Sequence, residues 1–250
     1  MMAFHIYLFV FGLILGSFFN VVGLSVPVGQ AFANRRSACP SCGRTLTFFE
    51  LMPVISYMLQ DGKCRGCKAR VSPLYPIVEM LTGVLFASAP LFLGWSSELL
   101  VGLTLISLFM IIFVSDVAYM LIPDKILLFF TVIFIVLRVS FPLLPWWDSL
   151  AGAVVGFSLL LLIAVVSQGG MGGGDIKLFA VIGFVLGLKM VLLSFLFACF
   201  YGAFLGFIGL LTGILKKKTL IPFGPYIVFG TLTAYFWGDS LLHWYVTFLR

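Results

Sequence analysis

Two aspartates stand where an apolar sequence does not readily tolerate them. Asp116 closes one apolar run, in Ser115-Asp116-Val117-Ala118-Tyr119-Met120-Leu121-Ile122-Pro123-Asp124, and Asp175 opens another behind Gly172-Gly173-Gly174. Acids at the edge of such runs are costly to keep there and therefore point to function. The two lie 59 positions apart with two further apolar runs between them, so a chain that goes out and back returns both to one side. Two close carboxylates in a poorly hydrated site share a proton, and the titration belongs to the pair. One takes a proton from water while the other polarises a scissile carbonyl, which is peptide hydrolysis without a nucleophilic side chain. Gly172 and Gly174 bring backbone without Cβ beside Asp175, suited to close approach by an extended substrate or to positive φ at a helix start. Taken singly, Asp175 also fits a helix N-terminus and Asp116 an interfacial acid near Lys125. Lys177 either orients the site or pairs with lipid phosphate. Asp124 suits the N-cap of the following helix, and Glu79 faces the polar insert, accepts a positive group or is a plain interfacial acid near the basic insert.

Four cysteines form a second constellation, Cys39-Pro40-Ser41-Cys42-Gly43 and Cys64-Arg65-Gly66-Cys67, with twenty-one residues between the pairs. Each pair can form a knuckle that turns two thiolates onto one metal, and two knuckles complete a tetrahedral zinc site with no open position for catalysis. Gly43 and Gly66 fit the knuckle turns, where positive φ is expected. Two disulfides or a redox dithiol are the alternatives; a cytoplasmic location disfavours the first. A polar block this small needs a staple to fold. Cys199, alone in an apolar run, reads as packing.

The elements that position these groups follow from composition. The chain has 250 residues, 62% hydrophobic and 10% charged, which excludes an ordinary soluble enzyme and a disordered chain. Eight apolar runs can be read: Phe4 to Val22, Ile77 to Leu93, Leu99 to Ser115, Ile126 to Phe141, Leu150 to Ser167, Ile176 to Leu188, Val191 to Leu215 and Ile221 to Leu242, with a break at Leu188-Lys189-Met190. The fold class is therefore an all-α polytopic membrane protein of about eight transmembrane helices with a small zinc-ribbon-like insert. Residues 1–26 form the first transmembrane helix, 27–76 the four-cysteine insert and 77–250 the membrane core.

Basic residues set the orientation. The insert carries Arg35, Arg36, Arg44, Lys63, Arg65, Lys68 and Arg70, and Lys216, Lys217 and Lys218 follow the seventh run. Eight crossings with the amino terminus outside place both groups in the cytoplasm. The first run has no basic residues before it and reads as a retained anchor. Positive-inside topology accounts for the formal charge of +6, so no direct nucleic-acid partner is expected.

With these residues in view, the chain resembles the bacterial type IV prepilin leader peptidases, which are also N-methyltransferases and belong to the GxGD class of membrane aspartyl proteases. The resemblance rests on Gly16-Ser17-Phe18-Phe19-Asn20, both cysteine pairs, Pro53-Val54-Ile55-Ser56-Tyr57, Tyr75-Pro76-Ile77-Val78-Glu79, the Asp116 to Asp124 segment, Gly172 to Lys177, and Pro222-Phe223-Gly224-Pro225. The compact size is most like the competence-associated members. The resemblance implies that Asp116 and Asp175 are the protease pair, supported by Gly172, Gly174, Lys177 and Asp124. The implied substrates are prepilins or pseudopilins with a short basic leader, cut after a glycine at the cytoplasmic face of the inner membrane. The new amino terminus is then methylated from S-adenosylmethionine, with Gly62, Lys63 and Glu79 as candidates, and Cys39, Cys42, Cys64 and Cys67 hold structural zinc. Two positions depart from the family pattern: Ser25 stands where an arginine is usual, and Glu50 where an aspartate is frequent.

Two other classes compete with the enzyme. In a transporter, intramembrane acids relay cations, although such acids belong nearer the midplane and with paired repeats. In a docking protein, the insert binds a partner and the helices only anchor it.

Overall fold

In the computed structural model, which describes residues 2–30, 37–168, 170–213 and 221–248, each of the eight apolar runs holds a helix over most of its described length and no strand forms among these residues. The basic residues Arg35, Arg36 and Lys216 to Lys218 lie outside the described residues. In chain order, α1 spans Met2–Ser25, a 3₁₀ turn Phe48–Leu51 and α2 Ile55–Leu59. The long helices then follow: α3 Leu74–Leu93, α4 Ser97–Tyr119, α5 Asp124–Ser140, α6 Asp148–Val166, α7 Gly173–Leu186, α8 Leu188–Leu211 and α9 Gly224–Phe248. Five of them, α1, α3, α4, α6 and α8, are long and apolar enough to cross a membrane. With 14 residues, α7 extends only about 21 Å, less than a hydrocarbon core of about 30 Å. The chain divides into two compact units, Met1–Ser115 and Asp116–Arg250.

Within the first unit, α1 and α3 pack through small residues. A Cβ at Gly16 would fall 2.8 Å from the Glu79 Cα, and one at Gly12 would fall 2.8 Å from the Gly83 Cα. Asn20 Nδ2 donates across the pair to the Tyr75 carbonyl at 3.1 Å. The two ends of the Gly16 to Asn20 motif thus do one job each, close approach and a cross-helix hydrogen bond. In lipid, helices gain nothing from hiding apolar surface, so close packing and such bonds decide which helices pair.

Within the second unit the same device sets α7, the helix that carries Asp175. A Cβ at Gly183 would lie 2.0 Å from the Gly152 carbonyl oxygen on α6, and one at Gly156 would lie 2.5 Å from the Phe179 oxygen. The break between the sixth and seventh runs falls at Gly187 (φ 82°), one residue before the expected Leu188-Lys189-Met190, because that backbone conformation favours glycine. Both new helix ends are capped from neighbouring helices. Buried Arg138 on α5 donates from Nε (2.9 Å) and Nη2 (2.5 Å) to the Val185 carbonyl near the end of α7. Asp148 on α6 accepts the Leu188 N–H at the start of α8 (3.2 Å). Cation at the C-terminus and anion at the N-terminus match the helix dipoles.

Cys199 does not pack: it is exposed on α8. Helix α9 is held to α8 by a Ser194–Thr231 hydroxyl hydrogen bond of 2.5 Å and by Gly230, whose Cβ would meet the Ala198 backbone nitrogen at 2.4 Å.

Gly183→Ala is expected to lower the thermal unfolding midpoint in detergent, with an overpacking cost of about 1–3 kcal/mol. Gly206→Ala on α8, where a Cβ meets nothing within 4 Å, is the control and leaves the midpoint unchanged or raises it. Equal midpoints for the two variants contradict the packing account.

Candidate active site and metal centre

Asp116 lies in the last turn of α4 and Asp175 in the first turn of α7. Between them α5 and α6 run out and back, and both aspartates line one pocket of about 190 Å³ together with Met120, Leu121, Ile122, Gly172, Gly173 and Gly174. Asp116 is 5% exposed. Its Oδ2 accepts the backbone N–H of Gly224, at the start of α9, at 2.7 Å. Asp175 lies within electrostatic reach of Asp116. A small, partly open pocket holding two carboxylates can bind a water between them and present it to a peptide carbonyl.

The glycines before Asp175 serve close approach and not unusual backbone. Gly172 is extended (φ −70°, ψ 141°), and none of the three has positive φ. A Cβ at Gly174 would meet the Ile122 Cβ at 2.8 Å, and one at Gly172 would meet Asp175 Oδ2 at 3.1 Å. Positive φ in this pocket belongs to Met120 (53°).

Asp124 and Lys177 do not line the pocket that holds the two aspartates. Asp124 is the first residue of α5, with Pro123 at the N-cap and no side-chain cap bond. Its two carboxylate oxygens each lie 2.8 Å from Lys177 Nζ. The expected capping role is therefore replaced by an exposed ion pair tying the starts of α5 and α7, of a kind worth about 0–1 kcal/mol. Both residues line a neighbouring groove with Lys125, Leu127, Leu128, Thr131 and Val181.

In the insert the four cysteine sulfurs lie within 4.8 Å of one another and none is in a disulfide. Cys39 Sγ and Cys67 Sγ are 3.8 Å apart, matching the edge of about 3.8 Å for a tetrahedron with zinc–sulfur bonds of about 2.3 Å. The donor set and spacing therefore fit zinc. The two knuckles repeat one pattern. Gly43 N–H donates to the Cys39 carbonyl and Lys68 N–H to that of Cys64, while Cys39 N–H and Cys64 N–H donate to Arg44 and Ala69. The residue after each second cysteine takes positive φ, Gly43 at 69° and Lys68 at 61°. The expectation of positive φ at Gly66 is thus corrected: the equivalent position is Lys68. Gly66 is instead crowded by Arg44, whose Nε would lie 3.3 Å from a Cβ there. Backbone N–H groups of Cys67 and Gly66 bring the Cys64 thiol down to about 6, and those of Cys42 and Ser41 lower Cys39. Both effects favour thiolates, the form that binds metal, whereas burial and the neighbouring sulfurs push Cys67 up to about 11.

Glu50 is held within the insert. Its carboxylate accepts the Thr47 N–H and hydroxyl, each at 2.9 Å, and pairs with Arg44. The Thr47 amide, assisted by Arg44, holds this carboxyl down at about 2. Its stabilising contribution is present above the ordinary carboxylate range and is lost as pH falls towards 2.

Glu79 resolves in favour of the insert. Its Oε2 accepts the Val54 N–H at 2.8 Å. Val54 has φ 61°, unusual for a β-branched residue, and Ile55 N–H closes a γ-turn on the Pro53 carbonyl at 2.5 Å. Gly62 (φ 64°) faces Tyr57, whose hydroxyl would be 2.8 Å from a Cβ, and Lys63 pairs with Arg70 across the second hairpin. The Tyr57 ring therefore fills the space beside Gly62.

Sequence reasoning did not assign Gly224, Arg138 or Asp148. The Pro222 to Pro225 motif pointed to the first, and an arginine inside an apolar run could have pointed to the second.

Purified protein is expected to carry about one zinc per chain, with four thiolates and no open position. Serine at any of the four cysteines is expected to release the metal and leave the insert protease-sensitive. A metal-free protein with a folded insert contradicts the assignment.

Residues 10–93 match the bacterial peptidase A24 N-terminal domain, and residues 103–207 match the type IV leader peptidase family. The prepilin leader peptidase/N-methyltransferase of Bacillus subtilis (strain 168) is 46% identical over 239 residues, covering 96% of each chain. Proteins of the same name from Myxococcus xanthus (strain DK1622) and Pseudomonas aeruginosa are 35% and 32% identical. The first alignment covers 86% of this chain and 66% of the relative, the second 99% and 95%. No solved structure matches the chain significantly. With two of these relatives aligned nearly end to end, the chain belongs to the type IV leader peptidase family.

Proposed function

We propose that this chain is a membrane-embedded aspartyl endopeptidase that removes the leader of prepilin-like proteins and methylates the amino terminus so formed. One observation carries the peptidase reading: Asp116 and Asp175, 59 positions apart, line a single pocket together with Gly172, Gly173 and Gly174. The relatives' printed names supply the substrate, a prepilin leader, and the second activity. A transporter finds no support among them.

In this reading one aspartate takes a proton from the bound water as it attacks the scissile carbonyl, and the other gives a proton to the developing oxyanion. Proton return to the departing amine completes cleavage. Gly172 and Gly174 let the extended substrate backbone approach, and the Asp124–Lys177 pair steadies the starts of α5 and α7. The cut falls after a glycine at the cytoplasmic side of the substrate's hydrophobic helix, and the work of such machinery is DNA uptake or secretion.

The proposed arrangement has eight crossings of the bacterial inner membrane, amino terminus outside and insert in the cytoplasm, with lipid as the surrounding partner. Residues 1–26 form the first crossing, 27–76 the zinc insert and 77–250 the protease core. Zinc on Cys39, Cys42, Cys64 and Cys67 is structural, since four sulfurs leave it no substrate position. S-adenosylmethionine would supply the methyl group. Gly62, Lys63 and Glu79 contribute by shaping the insert: Gly62 through Tyr57, Lys63 through its hairpin and Glu79 through Val54.

The test is leader cleavage of a pilin-like substrate by the reconstituted enzyme. Asp116→Asn and Asp175→Asn are each expected to reduce cleavage by about 10⁴-fold or more while the helical content is unchanged. Substantial cleavage by either variant rejects the dyad.

A further inference from the structure

The motif Pro222-Phe223-Gly224-Pro225 forms the start of α9, and its backbone has one outward use. Pro225 has no N–H, and the N–H groups of Tyr226 and Ile227 both turn back to the Phe223 carbonyl, at 3.0 and 3.1 Å. The Gly224 N–H points elsewhere, to Asp116 Oδ2 at 2.7 Å, across 108 positions of sequence. Among the described residues Asp116 Oδ1 makes no hydrogen bond, so one oxygen is tied to α9 and the other is left to the pocket. The positive pole of the α9 dipole faces the tied oxygen. A Cβ on residue 224 would sit 2.7 Å from Oδ2, 2.9 Å from Cγ and 3.0 Å from Cβ of Asp116, so the contact exists only with glycine there. The neighbouring α8 fixes α9 through Ser194–Thr231 and Gly230, so the donor cannot drift from its acceptor.

We propose that Gly224 is a positioning residue for peptide cleavage, its amide and missing side chain fixing the plane of the Asp116 carboxylate so that Oδ1 meets the attacking water. This deepens the reading of Asp116 and Asp175 as a catalytic dyad and rests on it. Asp175 stands beside Gly172 of its own loop, whereas Asp116 is anchored by a different helix. The angle between the two carboxylates is therefore set by where α9 begins. A displacement of about 1 Å at such a group costs about a hundredfold in rate.

The experiment uses the full chain in nanodiscs with a pilin-like substrate. Gly224→Ala keeps the amide and adds the clashing methyl; Gly224→Pro removes the amide, at a first-turn position where proline is tolerated. Both are expected to lose about a hundredfold in kcat with KM within about twofold of the parent and an altered pH profile of kcat, while Gly206→Ala matches the parent. Parental kcat and pH profile in either Gly224 variant overturn the proposal, and so does a loss confined to KM. A measurement on the unmodified glycine guards against variants that fold poorly. Hydrogen exchange of the Phe223 to Tyr226 segment is expected to rise about tenfold in Asp116→Ala and to stay near parental in Asp116→Asn, which keeps an acceptor oxygen. Unchanged exchange in Asp116→Ala overturns the contact. Cleavage surviving in Asp116→Asn removes the dyad reading itself, a result distinct from either failure of Gly224.

Discussion

A carboxylate at the end of an apolar helix loses hydration that little in its surroundings replaces, and two that share a pocket also repel each other. Everything around Asp116 and Asp175 answers that constraint. Both sit in terminal turns of their helices, α4 and α7, and the pocket they line is partly open. Asp116 is met by the N-terminus of α9, and Asp175 begins a helix whose own N-terminus favours an anion. In the proposed mechanism a proton shared between them is also what activates water without a nucleophilic side chain.

Holding two such groups together in lipid cannot rely on hiding apolar surface. It relies on contact. Gly152 and Gly156 on α6 let α7 approach to backbone distance, and Arg138 and Asp148 close the two helix ends left by the break at Gly187. The contacts at Gly183 and Val185 lie toward the far end of α7 from Asp175, whereas Gly156 meets Phe179 one turn from it, so α7 is held along its length. The cysteine insert solves a different problem, a fold too small for a core. Its two knuckles repeat one hydrogen-bond pattern, and a metal held by the four sulfurs would tie them together.

Local patterns were legible in the sequence and long-range partners were not. The apolar runs, the spacing of the cysteine pairs and the two isolated acids each express a rule that acts within a few residues, and each has its counterpart in the structure. Gly43 was readable as a turn glycine. Lys68 was not, because a lysine at positive φ leaves no compositional trace. Asp124 followed a proline and so resembled a cap, but Lys177, 53 positions on, claimed its carboxylate. Cys199 reads the same in sequence whether it faces a helix or faces outward. Gly224 and Arg138 act through partners 108 and 47 positions away, which one sequence cannot pair.

Coupling between the two acids is most directly read by isotope-edited infrared spectroscopy of aspartate-labelled protein, following the carboxyl bands through a pH titration. The account predicts that replacing either Asp116 or Asp175 by asparagine alters the titration of the one that remains, as it must when a single proton is held between them. Two carboxyl groups that titrate independently, each indifferent to the loss of the other, would contradict it.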